Sequence, residues 1–122
     1  MNLSSGIDLI EIERIQKALD RHGERFLNRI YTPAEINGAR GSASELAARF
    51  AAKEAASKAL GTGIGPVSWK EMEIINKPSG QPILRLHGRA KAIAQGQGYE
   101  IWSVSLTHTR GMAAAIVVCI GM

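Results

Sequence analysis

Two acidic residues and one lysine stand where charge is unusual. Glu54 and Lys58 lie one helical turn apart within Arg49-Phe50-Ala51-Ala52-Lys53-Glu54-Ala55-Ala56-Ser57-Lys58-Ala59-Leu60-Gly61. At 3.6 residues per turn they share a stripe with Ala47 and Ala51. A carboxylate and an ammonium among alanines can face a ligand that approaches the helix closely. They can equally be an exposed i,i+4 ion pair on a solvated face. Asp8 sits in the apolar run Gly6-Ile7-Asp8-Leu9-Ile10. A carboxylate there needs a partner or a metal to stay charged. The alternative is a capping box, with Glu11 three residues on. His108 closes Ser103-Val104-Ser105-Leu106-Thr107-His108, where it can hold a phosphate beside Thr107 and Ser105. Strand alternation, by contrast, sets it with Val104 and Leu106 as a half-buried, hydrogen-bonded histidine.

Other patterns are simpler. Arg14, Lys17 and Arg21, with Arg25 beyond, recur at three- and four-residue steps. They form a basic stripe, either a solvated face or a docking surface for an acidic helix. Gly61, Gly63 and Gly65 are not followed by Gly-Lys-Ser/Thr and no strand leads into them, which excludes a Walker-type phosphate loop. The histidines lack zinc-ligand spacing, and the one cysteine, Cys119, cannot build a thiolate site.

The elements that must carry these residues follow from periodicity and turn chemistry. Gly6–Ile10 reads as a short strand and Glu11–His22 as an amphipathic helix with Ile12, Ile15 and Leu19 at helical spacing. Glu24–Ile30 reads as one or two helical turns. Thr32-Pro33-Ala34-Glu35 opens a further helix, with cap, first-turn proline and capping-box glutamate in place. Ser42 or Ser44 opens the longest helix, which ends near Leu60 with Gly61 as its C-terminal cap. Strands are expected at 71–76 and 83–86, a short helix at 89–95, and a second hairpin of 101–107 with 112–120. Helices first and antiparallel strands later make the fold class α+β.

At 122 residues and 45% hydrophobic content the chain suits one domain, residues 1–122, with a core large enough to need no staples. No repeat or linker interrupts it. The opening residues lack a secretory signal, and the apolar run Ala113–Ile120 is too short to span a membrane. A single cysteine fits a reducing, cytoplasmic compartment. The net charge of +4 favours a polyanionic partner: nucleotide phosphates, an acidic protein or nucleic acid. A non-catalytic basic module that binds a nucleotide or nucleic acid is therefore the alternative to an enzyme. Scarce aromatics and the absence of a ribonucleoprotein or helix-turn-helix signature argue against nucleic acid.

Taken together, the segments resemble the bacterial holo-[acyl-carrier-protein] synthases, the small 4′-phosphopantetheinyl transferases. The resemblance runs nearly end to end. It is carried by Gly6-Ile7-Asp8-Leu9-Ile10-Glu11-Ile12-Glu13-Arg14-Ile15, by Phe26 to Thr32 with Glu35, and most strongly by Arg49 to Gly63. Trp69, Gly80-Gln81-Pro82 and Ser103 to His108 complete it, with Thr107 where a serine is usual. It implies a Mg²⁺-dependent enzyme of fatty acid biosynthesis. The serine of an acyl carrier protein would attack the β-phosphate of coenzyme A and release adenosine 3′,5′-bisphosphate. Asp8 and Glu54 match the metal ligands, and Mg²⁺ takes one or two carboxylates together with phosphate and water. Lys58 matches the lysine on the phosphates; Glu54 or a water beside the metal would take the serine proton. Arg49, Gly61, Gly63, Pro82, Thr107 and His108 are the implied coenzyme A contacts. The resemblance also implies a homotrimer with coenzyme A in clefts between subunits, His108 reaching a neighbour's 3′-phosphate. Arg14 and Arg21 would dock the acidic carrier protein.

Overall fold

The computed structural model describes all 122 residues. Its elements are β1 (Asn2–Glu11), α1 (Ile12–His22), α2 (Glu24–Ile30), α3 (Pro33–Ala39), α4 (Ala43–Leu60), β2 (Met72–Asn76), β3 (Pro82–Leu86), α5 (Gly88–Gly96), β4 (Ile101–His108) and β5 (Met112–Gly121). A 3-10 turn over Trp69–Glu71 precedes β2. The α+β class holds. β1, β5 and β4 form one antiparallel sheet with β5 in the middle, and β2 and β3 form a separate hairpin.

β1 is twice the length expected. It pairs with β5 from Asn2↔Gly121 to Glu11↔Met112 without a break, and so the ladder fixes residues flanking the apolar run. This overturns the capping-box alternative for Asp8, which lies mid-strand opposite Ala115. The cap position of α1 falls to Glu11, whose side chain makes no capping bond.

α4 is the axis of the fold. Its alanines 47, 48, 51, 52, 55, 56 and 59 are all buried, and they let β1 and β5 lie close along it. The approach is closest at Gly6, where a Cβ would overlap the Ala55 carbonyl oxygen. Alanine at 47 and 51 therefore admits the sheet, not a ligand as the stripe projection suggested. Ser42 caps the helix by accepting from Glu45 N at 3.2 Å. Gly61 ends it with φ of 82°, the left-handed conformation glycine adopts without a Cβ penalty. Of the carbonyls left over in the last turn, Ala59 O accepts from Ser4 Oγ at 2.7 Å and Leu60 O from Gln97 Nε2 at 2.9 Å.

Beneath α4 the core contains a charged pair. Lys53 Nζ lies 2.7 Å from Glu35 Oε1, with both side chains fully buried. Lys53 also donates to Trp69 O and Met72 O, each at 2.9 Å. Glu35 accepts from Thr32 N and Ile74 N, again at 2.9 Å. One ion pair thus stitches α3, α4, the 3-10 turn and β2 together. Phe50 stacks on Trp69 with centroids 4.6 Å apart, closing the same seam.

The sheet has two apolar faces. The inner one, Ala113, Ala115, Val117 and Cys119, is buried against α4. On the outer one Leu3, Ile7, Leu9, Ile101 and Ile116 are all exposed, Ile7 by 66%. No element of the chain covers that face, and no helix is long and apolar enough to cross a membrane.

Candidate functional site

Alternation along β1 points Asp8 inward with Gly6 and Ile10, toward the last turns of α4. There it meets Lys58, whose Nζ donates to Ile7 O at 3.0 Å and to Asp8 Oδ1 at 3.3 Å. Glu54, one turn back, completes the group. Burial lifts its carboxyl above the ordinary 4.5, and the Asp8 charge lifts it further, while Lys58 and Arg14 pull it down. No hydrogen bond or ion pair within the chain ties down the Glu54 carboxylate. Of the two readings of the Glu54–Lys58 spacing, the exposed i,i+4 pair is not formed; Lys58 turns to β1 instead.

Two half-buried carboxylates that repel one another, beside a lysine, form a set that a divalent cation would relieve. No cluster of three or more acidic, histidine or cysteine ligands exists in the chain. A cation held here would therefore need further donors from water or a ligand, which is how Mg²⁺ is commonly bound. The residues fit that ion.

Arg14 acts on Glu54 from α1, and so places the basic stripe beside this group. Arg14, Lys17 and Arg21 line one shallow depression with Ala18 and His22. Gly61 and Gly63 sit past the end of α4. Their N–H groups are already given to Lys58 O and Ser57 O, so neither is a free phosphate donor. Open space lies where each Cβ would be, which leaves close approach as their available role.

A second group forms at the other end of α4. A cleft of about 370 Å³ is lined by Glu45, Asn76, Gln81, Pro82, Ser105 and His108 among others. His108 Nε2 lies 3.6 Å from Glu45 Oε1, and Glu45 Oε2 accepts from Arg49 Nη1 at 2.9 Å. Arg49 itself is buried beneath Glu45, and its Nε has no hydrogen-bond partner. Its route to a ligand therefore runs past Glu45. Thr107 does not join this cleft. Alternation turns it to the outer face of the sheet, in an apolar groove with Ile7, Ala114 and Ile116. Of the two expected neighbours of His108, Ser105 lines the cleft and Thr107 does not.

The two groups are separated along the helix. Glu45 and Lys58 are thirteen residues apart in α4, about 20 Å at 1.5 Å per residue. The largest depression, about 590 Å³ between β3, α5 and the start of β4, contains none of these residues.

Glu45, Lys53 and Glu35 were not singled out as a set by sequence reasoning. A signal for Glu45 was present: it is four residues before Arg49 and three after Ser42. Nothing in the spacing of Lys53 and Glu35 announces that they meet in the core.

The same arrangement of elements occurs in known proteins. A chain from Helicobacter pylori, a holo-[acyl-carrier-protein] synthase in complex with coenzyme A, superposes with a TM-score of 0.88. The two are 36% identical, and the match covers 95% of this chain and 99% of that one. A holo-(acyl-carrier-protein) synthase from Bacillus anthracis, in complex with coenzyme A (3′,5′-ADP), matches at 0.80 and 39%, covering 98% and 96%. The holo-[acyl-carrier-protein] synthase of Herpetosiphon aurantiacus is 49% identical over 126 aligned positions, covering 98% of this chain and 99% of that one. The sequence signature of the 4′-phosphopantetheinyl transferase superfamily spans residues 4–116. With that signature over most of its length, and relatives of nearly half identity end to end, this chain belongs to the 4′-phosphopantetheinyl transferase superfamily.

Proposed function

We propose that this chain transfers the 4′-phosphopantetheine arm of coenzyme A to a serine of apo acyl carrier protein, releasing adenosine 3′,5′-bisphosphate. The observation that carries the reading is the meeting of Asp8, Glu54 and Lys58 between β1 and α4. The names of its relatives, and the coenzyme A bound in two of them, support the same reaction.

In that reaction the serine Oγ bonds to the β-phosphorus, and the bond from that phosphorus to the bridging oxygen breaks. The serine loses its proton. Glu54 is suited to accept it, because its carboxyl is held above the ordinary range by burial and by Asp8. Lys58 stands on the same turn with its ammonium half exposed, suited to meet the charge that grows on the departing phosphate. Asp8 orients Lys58 and, with Glu54, would hold a divalent cation. Bound there, Mg²⁺ would neutralise pyrophosphate charge. Arg14 and Arg21 present a basic face beside the carboxylates for an acidic carrier protein.

The chain is further proposed to act as a homotrimer, in the cytoplasm, in fatty acid biosynthesis. The bare outer face of the sheet supports association: a strand with two apolar faces needs both covered. A site shared between subunits would let His108 of one chain serve the Asp8–Glu54 group of a neighbour.

The test is mass spectrometry of an apo acyl carrier protein incubated with this protein, coenzyme A and Mg²⁺. A gain of one phosphopantetheine is expected. No gain with a carrier protein that a known transferase does modify would refute the reading.

A further inference from the structure

Three Ser/Thr-x-x-Glu patterns open helical segments here: Thr32–Glu35, Ser42–Glu45 and Ser68–Glu71. In the first and third, the glutamate folds back to accept from the backbone N–H of the capping residue. In the second only the serine's half forms. The Glu45 side chain turns away from its cap and into the cleft, where it accepts from Arg49 Nη1 and faces His108. Its carboxyl is held below the ordinary range, first by the hydrogen bond from Arg49, against an opposing effect of burial. Glu45 is 41% exposed, whereas the guanidinium under it is 1% exposed and has a buried Nε without an acceptor. Arginine carries five N–H donors, and a buried one left unpaired is costly. Apart from His108, Glu45 is the one ionisable group lining the cleft.

We propose that Glu45 is a resident anion of this cleft: it occupies the place of a ligand's phosphate and yields to it. The inference rests on the proposed function, with His108 meeting the 3′-phosphate of the nucleotide as the family resemblance implies. A phosphate brings nearly two charges and three acceptor oxygens, against one charge and two oxygens for the carboxylate. It can therefore replace Glu45 over Arg49 and His108, while Glu45 swings outward on a half-exposed side chain. A nucleotide without that phosphate leaves Glu45 in place. Displacing the carboxylate costs part of the phosphate's binding energy, and so loosens the hold on the released bisphosphate. Glu45 is thus a residue that sets how strongly the site grips phosphate.

The experiment is calorimetric titration of the full chain with adenosine 3′,5′-bisphosphate and with adenosine 5′-monophosphate, for wild type and Glu45→Gln. Glutamine keeps the shape and an acceptor for Arg49 but removes the charge. The bisphosphate should bind the variant about tenfold more tightly, with the gain shrinking at high salt, and the monophosphate should be unaffected. Unchanged bisphosphate affinity overturns the proposal. So does weaker binding, which would mean that Glu45 holds Arg49 and His108 in position. Should the glutamine variant unfold, Glu45→Asp, which draws the charge back from Arg49, must show the same direction or the proposal fails. His108→Ala separates this from the underlying reading. If that variant binds bisphosphate like wild type, the nucleotide assignment itself is wrong. If it binds more weakly while Glu45→Gln gains nothing, only the resident-anion proposal falls.

Discussion

Lys53→Met should be the most destabilising single substitution near the site, although Lys53 touches no part of it. Lys53 Nζ is fully buried and satisfies three acceptors: the Glu35 carboxylate and the carbonyls of Trp69 and Met72. Methionine fills much of the same space without a charge or a donor. It leaves a buried carboxylate unpaired, and removing one partner of a buried ion pair costs about 3–5 kcal/mol. The two carbonyls add about 1–3 kcal/mol each if nothing else reaches them. For a domain of this size the lower figure alone corresponds to a fall in Tm of roughly 10 °C. The double variant Glu35→Met/Lys53→Met removes both charges, so it should not add the two single costs; the coupling should amount to several kcal/mol. It should not return to wild-type stability either, because Thr32 N and Ile74 N lose the acceptor Glu35 supplied. Thermal unfolding followed by circular dichroism at fixed protein concentration measures all three. A fall of less than about 2 °C for Lys53→Met, or additive losses in the double variant, would refute the account of Lys53 as the seam between α4 and β2.

Three other outcomes follow from the same geometry. Asp8→Ala and Glu54→Ala should abolish transfer, while Glu54→Gln should raise the Tm of the metal-free protein by removing a repelling charge and lose any stabilisation by Mg²⁺; a Tm that still rises with Mg²⁺ as in wild type would contradict the ligand assignment. Reversing Arg14 and Arg21 to glutamate should raise KM for the carrier protein far more than for coenzyme A, and high salt should narrow the gap; equal losses for both substrates would rule out docking by this stripe. Glu73 is held below the ordinary carboxylate range: burial opposes this, but hydrogen bonds from Thr32 and His87 outweigh it. A depressed folded-state pKa gives stability that is present above the unfolded value and is lost as pH falls through the folded one. Unfolding free energy should thus decline below about pH 4.5, with a shallower decline in Glu73→Gln; identical slopes would show that Glu73 takes no part.

Much of the fold is legible in the sequence, for a physical reason. Capping residues act within one turn, so Thr32-Pro33-Ala34-Glu35, Ser42 and Gly61 set helix ends that the structure forms where expected. That Asp8, Glu54 and Lys58 share one site was legible only through the resemblance, and the direct contact of Asp8 with Lys58, fifty residues apart, was not legible at all, since local periodicity is silent about long-range contacts. Two local readings failed because a tertiary contact overrode them. Asp8 is a good cap in isolation, but ten consecutive pairs with β5 keep it extended. The alanines of α4 looked like a ligand's approach, but β1 takes that space.

Packing of the sheet on the alanines of α4 limits how a site can be built along that helix. Since the sheet occupies the small-residue face of α4, a nucleotide cannot lie along that face. What remains accessible is the Asp8–Glu54–Lys58 group at the C-terminal end and, at the N-terminal end, Glu45 and His108 above the buried Arg49. β4 and β5 connect the second group to the bare outer face of the sheet, because His108 and Thr107 are adjacent residues pointing to opposite sides. Copies associating through that outer face would put each chain's Thr107 in the interface and its His108 just behind it. In such an assembly, chains carrying Glu54→Ala and chains carrying His108→Ala, each inactive alone, should regain transfer when denatured together and refolded, since some clefts then combine an intact Glu54 with a neighbour's intact His108. Activity no greater than that of the separately refolded variants would mean that each chain completes its own site. Light scattering would settle whether the outer face is covered at all.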